Sequence, residues 1–233
     1  MPRGALRIAA LRAELLVSDD PAGVAVEMMA GVSGHMVVTG GSTPRAAYGR
    51  LAAMREDWSD VQLWFTDERC VAPEHEHSNY RMVKESLLDH APGTRAHRMR
   101  GELGPGEGAA DYERSLGEAF GPDLPMFDFI LLGLGPDAHT CSLFPGDDAL
   151  GERERRVVGV ERPGMAPLVA RITLTLPVVN AARRAVFLVT GVDKAEAVAR
   201  AFAGPPDPRA PASLVEGVLT LVCDPAAASE LPG

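Results

Sequence analysis

Short, continuously apolar runs alternate along this chain with longer stretches whose apolar residues recur at helical spacing. Residues 35–39 (HMVVT), Val61–Phe65 (VQLWF), 127–132 (FDFILL), 185–190 (AVFLVT) and 218–222 (VLTLV) read as strands covered on both faces, and 156–160 and 171–176 as further strands. Helical spacing predicts helices over 22–32, after the start signals Asp19, Asp20 and Pro21, over 46–54 with Pro44 in the first turn, over 79–90 with Pro92 and Gly93 as the stop, and over 109–120 and 193–202. Residues 66–69 read as a polar turn leading into a loop rich in Glu and His. Residues 101–108 read as a flexible connection, 121–125 as a turn and 204–211 as a Pro-rich loop. Strands alternating with helices imply an α/β fold, a mostly parallel sheet with helices on both faces. No internal repeat or boundary divides the chain, so residues 1–233 are expected to form one domain.

In such sheets ligands sit beyond the carboxyl ends of the strands. Four polar turns follow four of the apolar runs there: GGSTP from Gly40, TDER from Thr66, GLGPDAHT from Gly133 and TGVDK from Thr190. Gly40 and Gly41 let the backbone approach an anion, and the helix opening at Ser42 and Thr43 offers unpaired N–H groups and hydroxyls. The same five residues fit a plain strand–helix turn with Ser42 or Thr43 as the cap. Arg69, Arg171 and Lys194 are candidate fixed charges for a phosphate or carboxylate at that edge, although each taken alone reads more readily as a surface ion-pair residue. His139, two residues after Asp137 and beyond the most apolar strand, is the candidate general base. Two other patterns carry less. Gly133-x-Gly135-x-x-Ala138 fits a loose dinucleotide fingerprint, but Pro136 stiffens it, Pro145 and Gly146 cut the following helix short, and no suitably placed acid follows. Glu74-His75-Glu76-His77 lacks a standard zinc spacing and reads as a solvated loop, so no metal is expected.

Composition narrows the function classes. The 233 residues carry 23 Lys and Arg against 32 Asp and Glu, a net charge of −9, which argues against a nucleic-acid partner. With 46% hydrophobic and 24% charged residues the chain is an ordinary globular sequence. No apolar run reaches the roughly 18 residues of a membrane span. Arg3, Arg7 and Arg12 are followed by Glu14 and Asp19 before any apolar core forms, so the N-terminus is expected to belong to the fold and not to a leader. Cys70, Cys141 and Cys223 are odd in number and far apart, which suits reduced thiols in the cytoplasm. The apolar fraction fits a monomer or a homodimer.

The blocks GGSTP (Gly40 to Pro44), TDERCV with a later SNY (Thr66 to Val71, Ser78 to Tyr80), LLGLGPDAHTCSLFPG (Leu131 to Gly146), RITLT (Arg171 to Thr175) and TGVDKA (Thr190 to Ala195) stand in an order that resembles the 6-phosphogluconolactonase family, within the larger group that includes glucosamine-6-phosphate deaminase. The resemblance spans most of the chain. It implies a single Rossmann-like three-layer α/β domain that hydrolyses a sugar-phosphate lactone, 6-phospho-D-glucono-1,5-lactone, a step of the oxidative pentose phosphate pathway, without a cofactor. It implies His139 as general base, Asp137 and Asp67 as carboxylates that orient groups or hold sugar hydroxyls, and Gly41, Ser42, Thr43, Arg69, Arg171 and Lys194 on the phosphate side. The chain departs from the family's D-G-H-T-A-S-L-F-P pattern at Ala138, which replaces a glycine, and at Cys141, which replaces an alanine. If position 138 needs a positive φ, Ala138 is expected to be strained. The deaminase pattern places a ring-opening Glu five residues after the His and reads D-E-Y where this chain has Asp67-Glu68-Arg69; here the fifth residue is Phe144, which favours the lactonase. A deaminase or isomerase, and a non-catalytic sugar-phosphate sensor, are the competing expectations.

Overall fold

The computed structural model describes residues 11–232. In chain order the elements are β1 (Glu14–Val17), α1 (Pro21–Ala30), β2 (Gly34–Val38), α2 (Ser42–Met54), β3 (Val61–Phe65), β4 (Asp67–Arg69), α3 (Asn79–Ser86), β5 (Arg95–Ala96), α4 (Pro105–Phe120), β6 (Phe129–Leu132), β7 (Val157–Val160), β8 (Arg171–Leu174), α5 (Leu176–Asn180), β9 (Ala185–Val189), α6 (Ala195–Phe202) and β10 (Leu219–Cys223). Seven strands form one parallel sheet in the order β1-β10-β9-β6-β2-β3-β5. Every residue of β6, β9 and β10 is buried, as their unbroken apolar runs require of strands flanked by helices on both faces. Helix starts follow local chemistry. Asp20 caps α1 by accepting the Gly23 N–H at 3.1 Å, with Pro21 in the first position, and the Ser78 hydroxyl caps α3 by accepting the Arg81 N–H at 3.1 Å.

The second sheet is a departure from the sequence reading. Residues 66–69 do not make a turn. Thr66 still donates its N–H to Val38 in the main sheet, and the chain bends there and continues as β4. β4 pairs antiparallel with β8, and β8 with β7, so the strands expected over 156–160 and 171–176 leave the parallel sheet and form a small sheet at the carboxyl edge of β3. Residues 101–108 are likewise not a flexible connection. They form a 3₁₀ turn (Gly101–Leu103) and the first turn of α4, which packs on β7 and β8. Two of the glycines there serve close approach: a Cβ on Gly101 would lie 2.2 Å from the Arg69 carbonyl oxygen, and one on Gly108 2.3 Å from Ile172 Cδ1. The helix expected over 79–90 ends at Ser86 and continues only as a 3₁₀ turn (Leu88–His90), and α6 begins at Ala195 after a similar turn (Val192–Lys194). β1 and β5 went unpredicted because they are the two edge strands of the sheet and carry exposed residues, and α5 because it is a single short turn of helix. Arg12 joins the fold through a hydrogen bond to the Ser213 carbonyl; Arg3 and Arg7 lie outside the described residues. No helix among the described residues is long and apolar enough to cross a membrane.

Candidate active site

The strands β9, β6, β2 and β3 are consecutive neighbours in the sheet, so the four polar segments that follow them, three turns and β4, meet at one edge. Direct contacts join them. The Thr43 and Thr190 hydroxyls lie 2.8 Å apart, pinning the turn after β2 to the turn after β9. Gly41, at φ 118°, precedes α2, and no side chain caps that helix, so neither Ser42 nor Thr43 plays the ordinary capping role. The first N–H groups of α2 are therefore left to a ligand or solvent. Gly40 abuts Asn79: a Cβ there would fall 2.0 Å from Asn79 Oδ1.

Asn79 connects this turn to a buried carboxylate. Asp67 accepts hydrogen bonds from the Thr66 hydroxyl at 2.9 Å, from Asn79 Nδ2 at 3.3 Å and from the Ser142 hydroxyl at 2.7 Å, while its carbonyl accepts Asn79 Nδ2 at 2.9 Å. Ser142 in turn donates its N–H to the Thr173 hydroxyl of β8 at 3.1 Å. Asp67 is thus the knot between β3, α3, the loop after β6 and the small sheet. Glu68 holds the start of α3, accepting the N–H groups of Asn79 and Tyr80 at 2.7 Å each, the Arg69 N–H and the Ser78 hydroxyl. Burial nevertheless pushes its carboxyl above the usual range.

The loop after β6 carries the reactive pair. His139 Nδ1 lies 2.5 Å from Asp137 Oδ1, which also accepts the His139 N–H at 3.2 Å. Burial works to raise the Asp137 carboxyl, but the bonds and charge from His139 hold it below its ordinary value. An ionised carboxylate only accepts, so Nδ1 carries a proton in either charge state of the ring, and Nε2 is the nitrogen that can give up or take the other proton. Gly135 makes the room: a Cβ would sit 2.0 Å from His139 Nδ1. The loop is anchored at both ends, by the Gly135 N–H donating to the His139 carbonyl and the Ala212 N–H donating to the Ala138 carbonyl, each at 2.9 Å. Phe144, 2% exposed, lays its ring 4.5 Å from the imidazole. The helix of a dinucleotide fingerprint is missing, since only a 3₁₀ turn (Asp148–Gly151) follows.

Arg69 and Arg171 are directly opposed in the β4–β8 ladder. Like charges in such a pair oppose stability unless something neutralises them, and among the described residues no carboxylate oxygen stands within 4 Å of either guanidinium. Arg69 donates one Nη to the His77 carbonyl at 2.7 Å, and its buried Nε has no partner. Arg171 is more enclosed, with Nε and one Nη turned onto the carbonyls of residues 165, 167 and 169. Burial lowers its pKa, yet an arginine remains charged. Lys194 joins the edge through its turn, its Nζ 3.9 Å from Asp193. Among the described residues no group of three or more His, Cys, Asp or Glu is arranged to hold a metal.

Residues 24–222 match the family model described as "Glucosamine-6-phosphate isomerases/6-phosphogluconolactonase". The chain belongs to this family. A relative named 6-phosphogluconolactonase from Streptomyces coelicolor is 40% identical over 220 residues, covering 86% of this chain and 83% of the relative. One of the same name from Homo sapiens is 37% identical over 215 residues, covering 89% and 82%. The solved structure of 6-phosphogluconolactonase from Trypanosoma cruzi superposes with a TM-score of 0.84 at 25% identity, covering 99% of this chain and all of the other.

Against the family's glycine, Ala138 does adopt the left-handed backbone, at φ 64°, with its methyl fully buried, and Cys141 follows at φ 54°. Six residues of this family site escaped the sequence reading as individual participants: Glu68, Ser78, Asn79, Ser142, Thr173 and Thr190. All stand inside the blocks that carried the resemblance, and the one signal was that small hydroxyl and amide residues cluster where the chain leaves a strand.

Proposed function

We propose that this chain is a 6-phosphogluconolactonase that opens 6-phospho-D-glucono-1,5-lactone to 6-phospho-D-gluconate. The observation that carries the reading is the His139–Asp137 contact at 2.5 Å, which leaves Nε2 as a free base at the sheet edge where the uncapped start of α2 and Arg69 supply anion-binding donors. His139 Nε2 takes a proton from water as its oxygen attacks the lactone carbonyl carbon. The resulting oxyanion collapses, the bond from that carbon to the ring oxygen breaks, and the imidazolium returns its proton to the ring oxygen. Asp137 holds the ring in the required tautomer and favours the imidazolium. Asp67 acts through Ser142 and Asn79, bracing the His139 loop against the phosphate turn. The phosphate is held by the N–H groups and hydroxyls of Gly41, Ser42 and Thr43, with Lys194 and Arg69; Arg171 adds positive charge behind Arg69. An activated ester needs only positioning and acid–base help, so the reading requires no metal or redox cofactor. The three cysteines, all free, suit a reducing cytoplasm.

Within the family, Phe144 favours this reaction over sugar-phosphate deamination, because an apolar ring occupies the fifth position after His139. The test is lactone generated in place from glucose 6-phosphate, with acid release followed above the spontaneous rate. Wild type should accelerate it, and His139→Ala should lose at least about 100-fold in kcat while staying folded. Near-normal turnover by His139→Ala would remove the general-base assignment, and ammonia release from glucosamine 6-phosphate would move the protein to the deaminases.

A further inference from the structure

We propose that Arg171 is a positioning residue for His139, acting through residues 164–169 and Phe144, and not a ligand of the substrate phosphate. The inference rests on the lactonase reading of the same site. Arg171 is 4% exposed. Its Nε donates to the Val169 carbonyl at 3.1 Å, and one Nη donates to the carbonyls of Pro167 at 2.9 Å and Met165 at 3.3 Å. These bonds commit Nε and one Nη of the guanidinium to the segment and leave only its second Nη for anything else, whereas Arg69 beside it keeps a buried Nε without a partner among the described residues.

The strapped segment has little else to order it. From Glu161 to Ala170 only Pro163 is buried, and Leu168 is 77% exposed. Apolar anchorage is confined to Pro163 and Met165, and charge-assisted bonds from one buried arginine fix the rest of its path. The segment matters because of Gly164. A Cβ at that position would meet Phe144 at 3.3 Å (Cδ1) and 3.4 Å (Cβ), so Gly164 sits close beside the stem and near edge of the Phe144 side chain. Phe144 in turn lies 4.5 Å from the His139 imidazole, tilted by 42°. His139 is thus held on one edge by Asp137 and on one face by Phe144, and the face contact is backed by the strap. Loosening the strap frees Phe144 and lets the imidazole leave the direction in which Nε2 meets the water.

The experiment uses the full chain and three variants: Arg171→Met, which keeps the bulk and removes the donors, Arg171→Lys, and Gly164→Val, which pushes on Phe144 without touching any charge. Two readouts are taken after circular dichroism has shown the fold. The first is the His139 imidazole proton resonance and its titration, assigned by its loss in His139→Ala. The second is the kcat and KM split on the phosphorylated lactone. Arg171→Met and Gly164→Val should both shift the His139 resonance and lower kcat by about 10–100-fold, with KM within about 3-fold of wild type, and Arg171→Lys should do the same more weakly. An unmoved His139 resonance in Arg171→Met and Gly164→Val, or a raised KM with unchanged kcat in Arg171→Met, overturns the proposal and returns Arg171 to the phosphate. If Arg171→Met does not fold, Gly164→Val alone decides by the same readouts. Absence of lactone hydrolysis by wild type would count against the lactonase reading, while the resonance still decides the positioning role.

Discussion

Ala138 shows how a residue can violate a backbone preference and persist. Its left-handed φ of 64° costs about 1–2 kcal/mol for a residue with a Cβ. Against this, a fully buried methyl contributes about 0.8 kcal/mol. Alanine also leaves the unfolded chain less entropy than glycine, worth about 0.4–1 kcal/mol. The contributions nearly cancel, so Ala138→Gly should shift stability by less than about 1 kcal/mol in a urea melt and keep activity, whereas Ala138→Val, β-branched in a packed site, should lose about 2 kcal/mol or more. A strongly stabilised glycine variant would show that the methyl contributes nothing. Gly135 offers the opposite case. Its missing Cβ is the space His139 and Asp137 occupy, so Gly135→Ala should displace the pair and cut kcat by about 100-fold with the melt little changed. Wild-type kcat in Gly135→Ala would mean that the pair accommodates the methyl by moving without consequence. The sequence showed the glycines, the His and the Asp; that Gly135 and His139 share one volume is a through-space fact.

At the scale of elements, the site is a set of strand ends stitched by short side chains. The Thr43–Thr190 bond joins the turns after β2 and β9, and Asp67 joins β3, α3 and the loop after β6. Thr190→Val should loosen the phosphate turn and raise KM for the phosphorylated lactone by about 3–10-fold with kcat nearly constant. A fall in kcat at constant KM would instead place this bond in the chemical step. The long apolar strands were legible because burial on both faces writes itself as an unbroken run. β4 was not, because Asp67, Glu68 and Arg69 are polar on both sides; they are buried or half-buried through hydrogen bonds and not through apolar contact. The segment 101–108 misled for a related reason, since glycine marks close approach as often as flexibility.

The whole molecule keeps a second histidine cluster away from its chemistry. His35 and Gln62 lie at the amino ends of β2 and β3, opposite the site. Trp64 donates its Nε1–H to His35 Nδ1 at 3.0 Å and stacks on His97 at 3.8 Å, and His97 Nε2 lies 3.0 Å from Gln62 Oε1. Burial, helped by Arg95 and His35, pulls His97 down from its ordinary 6.5 to about 4, and burial lowers His35 as well. Between pH 6.5 and 4 the unfolded chain binds a proton at His97 that the folded protein does not, so stability rises with pH across this window and is lost as pH falls through it. His97 is only half-buried, so the loss attributable to it is about 1–2 kcal/mol. Melts at pH 7 and pH 4.5 should show His97→Gln losing less stability on acidification than wild type; equal losses would mean that His97 titrates normally in the fold.

What the sequence determined by itself was the alternation of buried strands and amphipathic helices, and the placement of polar segments after β2, β3, β6 and β9, of which the one after β3 is a strand and not the expected turn. Both follow from local rules, the periodicity of burial and the chemistry of strand ends. The tertiary structure decided the rest. It alone set those four strands side by side, sent residues 66–69 into a second sheet, and turned Arg171 onto the carbonyls of residues 165–169. Strand order and hydrogen-bond partners far apart in the chain depend on which surfaces meet after folding, and no spacing within a single segment encodes that.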